Sequence, residues 1–159
     1  MTRQQATVAL VLLACSMPAM AWKKQDPAAA PPCEQNFSVD GSFGSGKVYA
    51  TEAEVPGVAY LPAFRRVRDK IQEQGLEIVA AQEKNGYIRA SNPVKFGQGG
   101  TSSAPLRGYV TPLGGGGVKV SLQFTIAGGQ MTSKKSVMKY MCEIVDAAAG
   151  PAAPAATQS

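Results

Sequence analysis

The residue types that carry most enzyme chemistry are sparse in this chain of 159 residues, which contains no histidine. Ser-His-Asp hydrolysis, Cys-His hydrolysis and His-based proton transfer all need an imidazole, so the composition excludes them. A carboxylate pair of the kind used by glycosidases stays open as an alternative. Its candidates are glutamates that the local pattern places at exposed positions: Glu52, Glu54, Glu77 and Glu83. We therefore predict a protein that is not an enzyme and that binds no cofactor.

Two short stretches match parts of catalytic signatures, and both matches are incomplete. Residues 41–47 follow the phosphate-binding P-loop pattern, but Val48 stands where that motif needs Ser or Thr to hold magnesium. Ser136-Val137-Met138-Lys139 matches the S-x-x-K tetrad of penicillin-recognising enzymes, whose partner motifs S-D-N and K-T-G are absent. We interpret the first stretch as a Gly/Ser turn that leads into a strand, and the second as part of a helix.

Three cysteines are present, at positions 15, 33 and 142. In an oxidising compartment a lone cysteine pair usually forms a disulfide, so we predict a bond between Cys33 and Cys142, with two free buried thiols as the alternative. The chain has neither a histidine nor a C-x-x-C pair, so we predict no metal site.

The start of the chain has the features of an export signal. Arg3 precedes an apolar run over residues 6–14, and Ala19-Met20-Ala21 fits an A-x-A cleavage site. We predict a signal peptide over residues 1–21, cleavage before Trp22, and a periplasmic or secreted protein. The alternative rests on Leu12-Leu13-Ala14-Cys15, which resembles the lipobox of bacterial lipoproteins. In that case Cys15 is lipidated and the protein is an outer-membrane lipoprotein.

Composition divides the remainder of the chain into three parts. Residues 22–35 are rich in Pro and Ala and are predicted to be a linker, residues 36–146 a single folded domain, and residues 147–159 a disordered tail. The formal net charge is +5, from 16 basic and 11 acidic residues. That charge is moderate and no aromatic-rich basic motif accompanies it, so we predict that neither nucleic acid nor a nucleotide is a partner.

Residues 60–91 predict the unit around which the domain is built. Four apolar residues are spaced so that they would lie along one side of a helix: Leu61, Phe64, Val67 and Ile71. Gly75 follows as a left-handed stop, and alternating residues on each side of Asn85-Gly86 predict a hairpin.

A second hairpin and a final helix complete the predicted fold. Residues 106–111 and 118–126 alternate between apolar and polar on each side of four glycines, and Thr132 or Ser133 can cap a helix that follows. The fold class is therefore α+β in a single domain. We predict an antiparallel sheet of four to five strands packed against two helices, in the order β-α-β-β-β-β-α.

Basic residues mark a candidate contact surface. Arg65, Arg66 and Arg68 lie on the polar side of the first helix, and Lys95, Phe96 and Arg107 lie beside or close to a glycine-rich loop over residues 97–103. The first interpretation of these arginines is a solvated helix face, and a contact surface for an anionic partner is the alternative. For that partner we predict an envelope protein, a glycan or an anionic membrane surface.

The sequence of residues 63–90 ends in Gly86-Tyr87-Ile88-Arg89-Ala90. Its pattern resembles the BamC-like domains of the outer-membrane assembly lipoprotein, in which a sheet packs around a long C-terminal helix. The resemblance implies a helix-grip α+β fold and an accessory or binding role without catalysis. We therefore predict an exported, non-catalytic binding or scaffold protein of the bacterial cell envelope. The alternatives are a periplasmic immunity or inhibitor protein against a toxin or hydrolase, and a carboxylate-dependent cell-wall hydrolase.

Overall fold

The structure, a computed structural model, describes residues 30–92 and 104–151. Three helices and six strands follow one another along the chain. They are α1 Pro32–Gln35, β1 Ser38–Ser42, β2 Gly46–Pro56, α2 Tyr60–Glu73, β3 Glu77–Gln82, β4 Tyr87–Asn92, β5 Ala104–Pro112, β6 Gly117–Ile126 and α3 Lys134–Ala147.

The six strands form one antiparallel sheet in the spatial order β1-β2-β6-β5-β4-β3. The longest pairing joins β2 to β6, from Lys47 opposite Ile126 to Pro56 opposite Gly117. The helix α2 connects β2 to the far edge strand β3, so it has to cross the sheet. It contacts β3, β5 and β6 as it does so, and the final helix α3 lies against α2, β2 and β6.

One face of the sheet and the apolar sides of α2 and α3 form the core. Alternate residues of each strand point into it because side chains in a strand point to opposite faces in turn. Val118, Val120 and Leu122 of β6 are buried in this way, and α2 contributes Phe64 and Val67. The strand residues between them point to the other face, which no described helix covers. We call this second face the open sheet face.

The predicted α+β class and single domain are confirmed, but the predicted count of four to five strands is too low. The missing strand is β1, all five residues of which are exposed. An exposed edge strand has no apolar alternation to reveal it, and residues 41–46 look like a flexible Gly/Ser segment. They include the turn between β1 and β2, where Gly41 lies opposite Lys47 in the ladder.

The packed structure extends past the predicted domain bounds of 36–146 at both ends. The short helix α1 falls within the predicted linker, and its Cys33 is only 1% exposed. At the other end Ala148 is fully buried, although it belongs to the predicted tail. The predicted capping of the last helix involves Ser133, whose side chain accepts a hydrogen bond from the Ser136 amide.

The predicted disulfide between Cys33 and Cys142 is confirmed, with an S–S distance of 2.04 Å. It joins α1 to α3 across the core. The hydroxyl of Thr51, which is only 4% exposed, donates to the Cys33 carbonyl oxygen at 2.5 Å. The bond and this contact together fix α1 to the sheet.

Two glycines with positive φ provide a matched test of the hairpin geometry. Gly86 has φ +70°, and a Cβ placed on it would lie 1.9 Å from the Val110 carbonyl oxygen, whereas Gly75 has φ +87° and open space around it. Gly75→Ala should cost only the left-handed backbone term of about 1–2 kcal/mol. Gly86→Ala must also displace β5, and we expect its total loss to exceed that of Gly75→Ala by about 1–3 kcal/mol. Urea unfolding of both variants measures the difference, and equal losses would contradict the described contact.

Candidate binding site on the open sheet face

Two matched pairs of side chains lie next to each other on the open sheet face. Arg89 of β4 is directly opposite Arg107 of β5, and Tyr87 is directly opposite Tyr109. The two tyrosine rings have centroids 5.2 Å apart, and Tyr109 is 49% exposed. Residues in such positions have Cβ atoms about 4.5–5.5 Å apart, and like charges placed there destabilise the sheet.

Neither arginine of this pair has an ion pair or a hydrogen bond with any residue in the described ranges. The other arginines in those ranges, Arg65, Arg66 and Arg68, have partners in Glu83, Ala148 and Asp69 respectively. Two exposed arginines at directly opposite positions, without a carboxylate partner in the described ranges, are unfavourable for the free protein. We call Arg89 and Arg107 the arginine pair.

The neighbouring strands continue these pairs into two rows across the sheet. Arg107 is opposite Gln123 of β6, which is opposite Ala50 of β2. In the second row Tyr109 is opposite Ser121, which is opposite Glu52. A shallow depression of about 450 Å³ lies over these rows, with Asn36 and Ser38 at its β1 side. Its surface therefore combines cationic, aromatic, amide and hydroxyl groups.

Glu52 is the last residue of the second row, and Lys119 neutralises its negative charge. Its Oε2 lies 2.8 Å from Lys119 Nζ, and Ser121 Oγ lies 3.4 Å from the same oxygen. The hydrogen bond from Lys119 lowers the pKa of Glu52, ahead of the opposing effect of desolvation. Glu52 is therefore ionised at neutral pH and does not supply a proton.

The arginines predicted from the helix pattern lie on the other side of the sheet. Arg65 Nε is 3.2 Å from Glu83 Oε1, Arg66 donates to the Ala148 carbonyl oxygen at 2.9 Å, and Arg68 contacts Asp69 at 2.7 Å. All three therefore have partners within the fold, and α2 lies on the core side of the sheet, away from the open sheet face.

The remaining residues of the predicted contact surface are not placed beside the arginines of α2. Arg107 points to the open sheet face, so the structure does not bring it together with Arg65, Arg66 or Arg68. Lys95, Phe96 and the glycine-rich loop over residues 97–103 lie outside the described residues, as does Cys15.

Four residues of this face are absent from the predicted contact surface: Arg89, Tyr87, Tyr109 and Gln123. Alternation within β4, β5 and β6 is a signal that they point away from the core. The missing information was the register between β4 and β5, which decides that Arg89 faces Arg107. Residues 93–103 separate these two strands in the sequence, and a separation of that length does not predict a single register.

Carboxylates also gather between the C-terminal parts of α2 and α3. A groove of about 500 Å³ there has Asp69, Glu73, Glu143 and Asp146 in its walls, together with Arg66. Burial raises the pKa of Asp146, and the charges of Glu34 and Glu143 add to that effect. No set of three or more metal-binding side chains is placed to hold an ion within residues 30–92 and 104–151.

A smaller pocket of about 230 Å³ opens beside Gln74 and Tyr140, with Leu76 and Phe124 in its walls. Gln74 Oε1 and the Tyr140 hydroxyl are buried and have no hydrogen-bond partner among the described residues. Burial raises the pKa of Tyr140 to about 12. The phenol therefore stays neutral over the physiological pH range.

The described helices include none with both the length and the apolar character needed to cross a lipid bilayer. This finding concerns residues 30–92 and 104–151 alone.

Comparisons with known proteins add little to this geometry. No protein-family model and no curated protein matches the chain. Among solved structures it is similar to a conserved protein of unknown function, EF2215 from Enterococcus faecalis, at TM-score 0.48 and 9% identity, covering 79% of this chain and 84% of that one. It is also similar to Ara h 8.0201 at TM-score 0.32 and 17% identity, covering 65% and 96%. Both similarities are too remote to bear on function, and the resemblance to BamC-like domains stays a prediction.

Proposed function

We propose that this chain is an exported, non-catalytic binding protein of the bacterial cell envelope, and that its open sheet face holds an acidic glycan. The observation that carries the proposal is the arginine pair: Arg89 and Arg107 stand directly opposite each other without a carboxylate partner in the described part of the chain. Such a pair is costly for the free protein, and a bound anion removes that cost.

A carboxylate suits the arginine pair for geometric reasons. The guanidinium group presents its N–H donors in a planar fork that matches the two oxygens of a carboxylate. With the two Cβ atoms about 5 Å apart, one carboxylate between the forks can accept hydrogen bonds from both. The binding would then exchange a repulsion between cations for two charge-assisted contacts.

The surroundings of the arginine pair favour a sugar as the carrier of that carboxylate. The exposed Tyr109 ring beside Tyr87 offers an apolar surface against which the C–H face of a pyranose ring can pack. Gln123 and Ser121 offer an amide and a hydroxyl to sugar hydroxyl groups. The depression is open, and its walls combine apolar surface with a few polar groups, which is the combination that binding sites for small ligands use.

The glutamates of this chain do not support the alternative of a carboxylate-dependent cell-wall hydrolase. A carboxylate mechanism needs one carboxyl group with a raised pKa that acts as an acid beside a second one. Glu52 is held ionised by Lys119, and Glu83 pairs with Arg65 on the other side of the sheet. An immunity or inhibitor protein would bind a folded protein where the proposed protein binds a glycan. A binding experiment can distinguish these two partners.

The test is calorimetric titration of the purified, disulfide-bonded protein with a panel of uronic-acid trisaccharides, and with maltotriose as the neutral control. We expect saturable binding of at least one acidic trisaccharide that weakens as salt is added, and binding of maltotriose at least tenfold weaker. Equal binding of maltotriose would contradict a role for the arginine pair. If none of the acidic trisaccharides binds, the proposal that the ligand is an acidic glycan is wrong. Capture of one envelope protein through the same face would favour the inhibitor alternative.

Export has its own test, the intact mass of the protein isolated from its native cells. We expect a chain that starts at Trp22 and is two hydrogens lighter than the reduced form, since Cys33 and Cys142 are bonded. A chain that starts at Cys15 with added acyl groups would replace the soluble protein by a lipoprotein. A chain that retains residues 1–21 in full would overturn export.

A further inference from the structure

Two turns lie side by side at one end of the molecule. One joins β1 to β2 and contains Phe43 and Gly44, and the other joins β6 to α3 and contains Gly128 and Gly129. The Gly129 amide donates to the Phe43 carbonyl oxygen at 2.8 Å. A Cβ on Gly128 would lie 2.1 Å from the Gly44 carbonyl oxygen, so only glycine permits this close approach. The two turns therefore form one surface, which we call the tip.

The tip exposes two large apolar side chains. Phe43 is 56% exposed and Met131, two residues after Gly129, is 90% exposed. A single exposed apolar residue is ordinary in a soluble protein. Phe43 and Met131 lie on or next to two turns that are joined by a hydrogen bond, so both exposed apolar side chains belong to the same end of the molecule.

Two lysines follow Met131 at the start of α3. Lys134 and Lys135 are exposed and have no ion pair or hydrogen bond with a described residue. Three residues of chain span at most about 11 Å, so Lys134 cannot lie far from Met131. The first turn of α3 contains no acidic residue. Lysines at this end of a helix are unfavourable, because the helix N-terminus is itself positive.

We propose that the tip docks the protein on the surface of an anionic lipid bilayer. Phe43 and Met131 enter the headgroup region, and Lys134 and Lys135 contact the lipid phosphates. Exposed apolar side chains next to unpaired lysines are the combination that interfacial binding uses, with apolar burial and attraction to anionic lipid acting together. A stable protein interface needs about 800 Å² per partner, and two side chains fall short of that area.

This inference goes beyond the binding of a glycan and does not depend on it. The arginine pair lies on β4 and β5, whereas the tip is built from the ends of β1, β2, β6 and α3. A protein docked through its tip would hold the open sheet face away from the lipid phosphates. The two proposals therefore fail separately: a variant of the tip should keep glycan affinity, and a variant of the arginine pair should keep vesicle binding.

Co-sedimentation of the mature chain with vesicles tests the tip. Vesicles of phosphatidylcholine containing about one-third phosphatidylglycerol should bind the protein, and pure phosphatidylcholine should bind it at least tenfold less. We expect the double variants Phe43→Ser/Met131→Ser and Lys134→Gln/Lys135→Gln each to lose at least tenfold in partition coefficient. The matched controls are Val79→Ser, which removes another 56% exposed apolar side chain, and Lys84→Gln at the β3–β4 turn. Both should bind like the wild type.

A second measurement does not depend on loss of binding. Phe43→Trp in a Trp22→Phe background places the one tryptophan of the chain at the tip. Its fluorescence should shift to the blue when anionic vesicles are added. No shift, or vesicle binding that the two tip variants retain in full, would overturn the proposal.

Discussion

Loss of the disulfide between Cys33 and Cys142 should lower the free energy of unfolding by about 4–5 kcal/mol. The bond spans a sequence separation of 109 residues, so it restricts nearly the whole described domain in the unfolded state. Small domains are stable by only about 5–15 kcal/mol, and the expected loss is a large part of that margin. The helix α1 should respond most, because its four residues depend on this bond and on the Thr51 contact.

Denaturant unfolding measures this effect in three samples: oxidised wild type, wild type with reductant, and the double variant Cys33→Ala/Cys142→Ala. We expect the reduced wild type and the variant to unfold at similar, lower denaturant concentrations. Reductant should change nothing in the variant, which serves as its own control. Coincident unfolding of oxidised and reduced wild type would contradict the stabilising role.

Replacement of either residue of the arginine pair by alanine should weaken binding of the acidic trisaccharide by about 10- to 100-fold, which corresponds to about 1.5–3 kcal/mol for a hydrogen bond to a charged group. Arg89→Ala and Arg107→Ala should not add fully in the double variant, because both side chains contact the same carboxylate. Each single variant should leave the fold at least as stable as the wild type, since it removes a repulsion across β4 and β5.

Arg68→Ala is the matched control for charge. It removes the same unit charge from α2, on the core side of the sheet, where Arg68 pairs with Asp69. If the open sheet face is the site, Arg68→Ala should change the affinity by less than about twofold at moderate salt, where distant charges are screened. Equal losses in Arg68→Ala and Arg107→Ala would indicate a general effect of net charge.

The sequence pattern predicts the parts of the fold that combine periodicity with a clear stop. The stripe containing Phe64, Val67 and Ile71 places α2, and Gly75 marks its end, because apolar spacing and a left-handed cap agree there. The cysteine pair could also be predicted, because the predicted signal peptide contains Cys15 and leaves two cysteines, each with only the other as a partner. These features depend on local sequence or on simple counting.

The remaining features depend on contacts that the sequence does not encode locally. The strand β1 is held by its ladder to β2 and has no buried face of its own. The arginine pair needs the register of β4 against β5, and the tip needs two turns that are more than 80 residues apart in sequence to meet. The basic side of α2 was visible in the sequence, but its partners Glu83 and Ala148 were not.

The most direct test of the central claim is a nitrogen-15 NMR titration of the mature protein with the acidic trisaccharide that binds best. We expect saturable shifts of backbone amides in β4, β5 and β6, centred on Arg89, Arg107 and Gln123, and no shifts along α2. Shifts confined to α2 around Arg65 and Arg68 would move the site to the helix face. If no acidic trisaccharide changes the spectrum, the claim that the open sheet face binds an acidic glycan is contradicted.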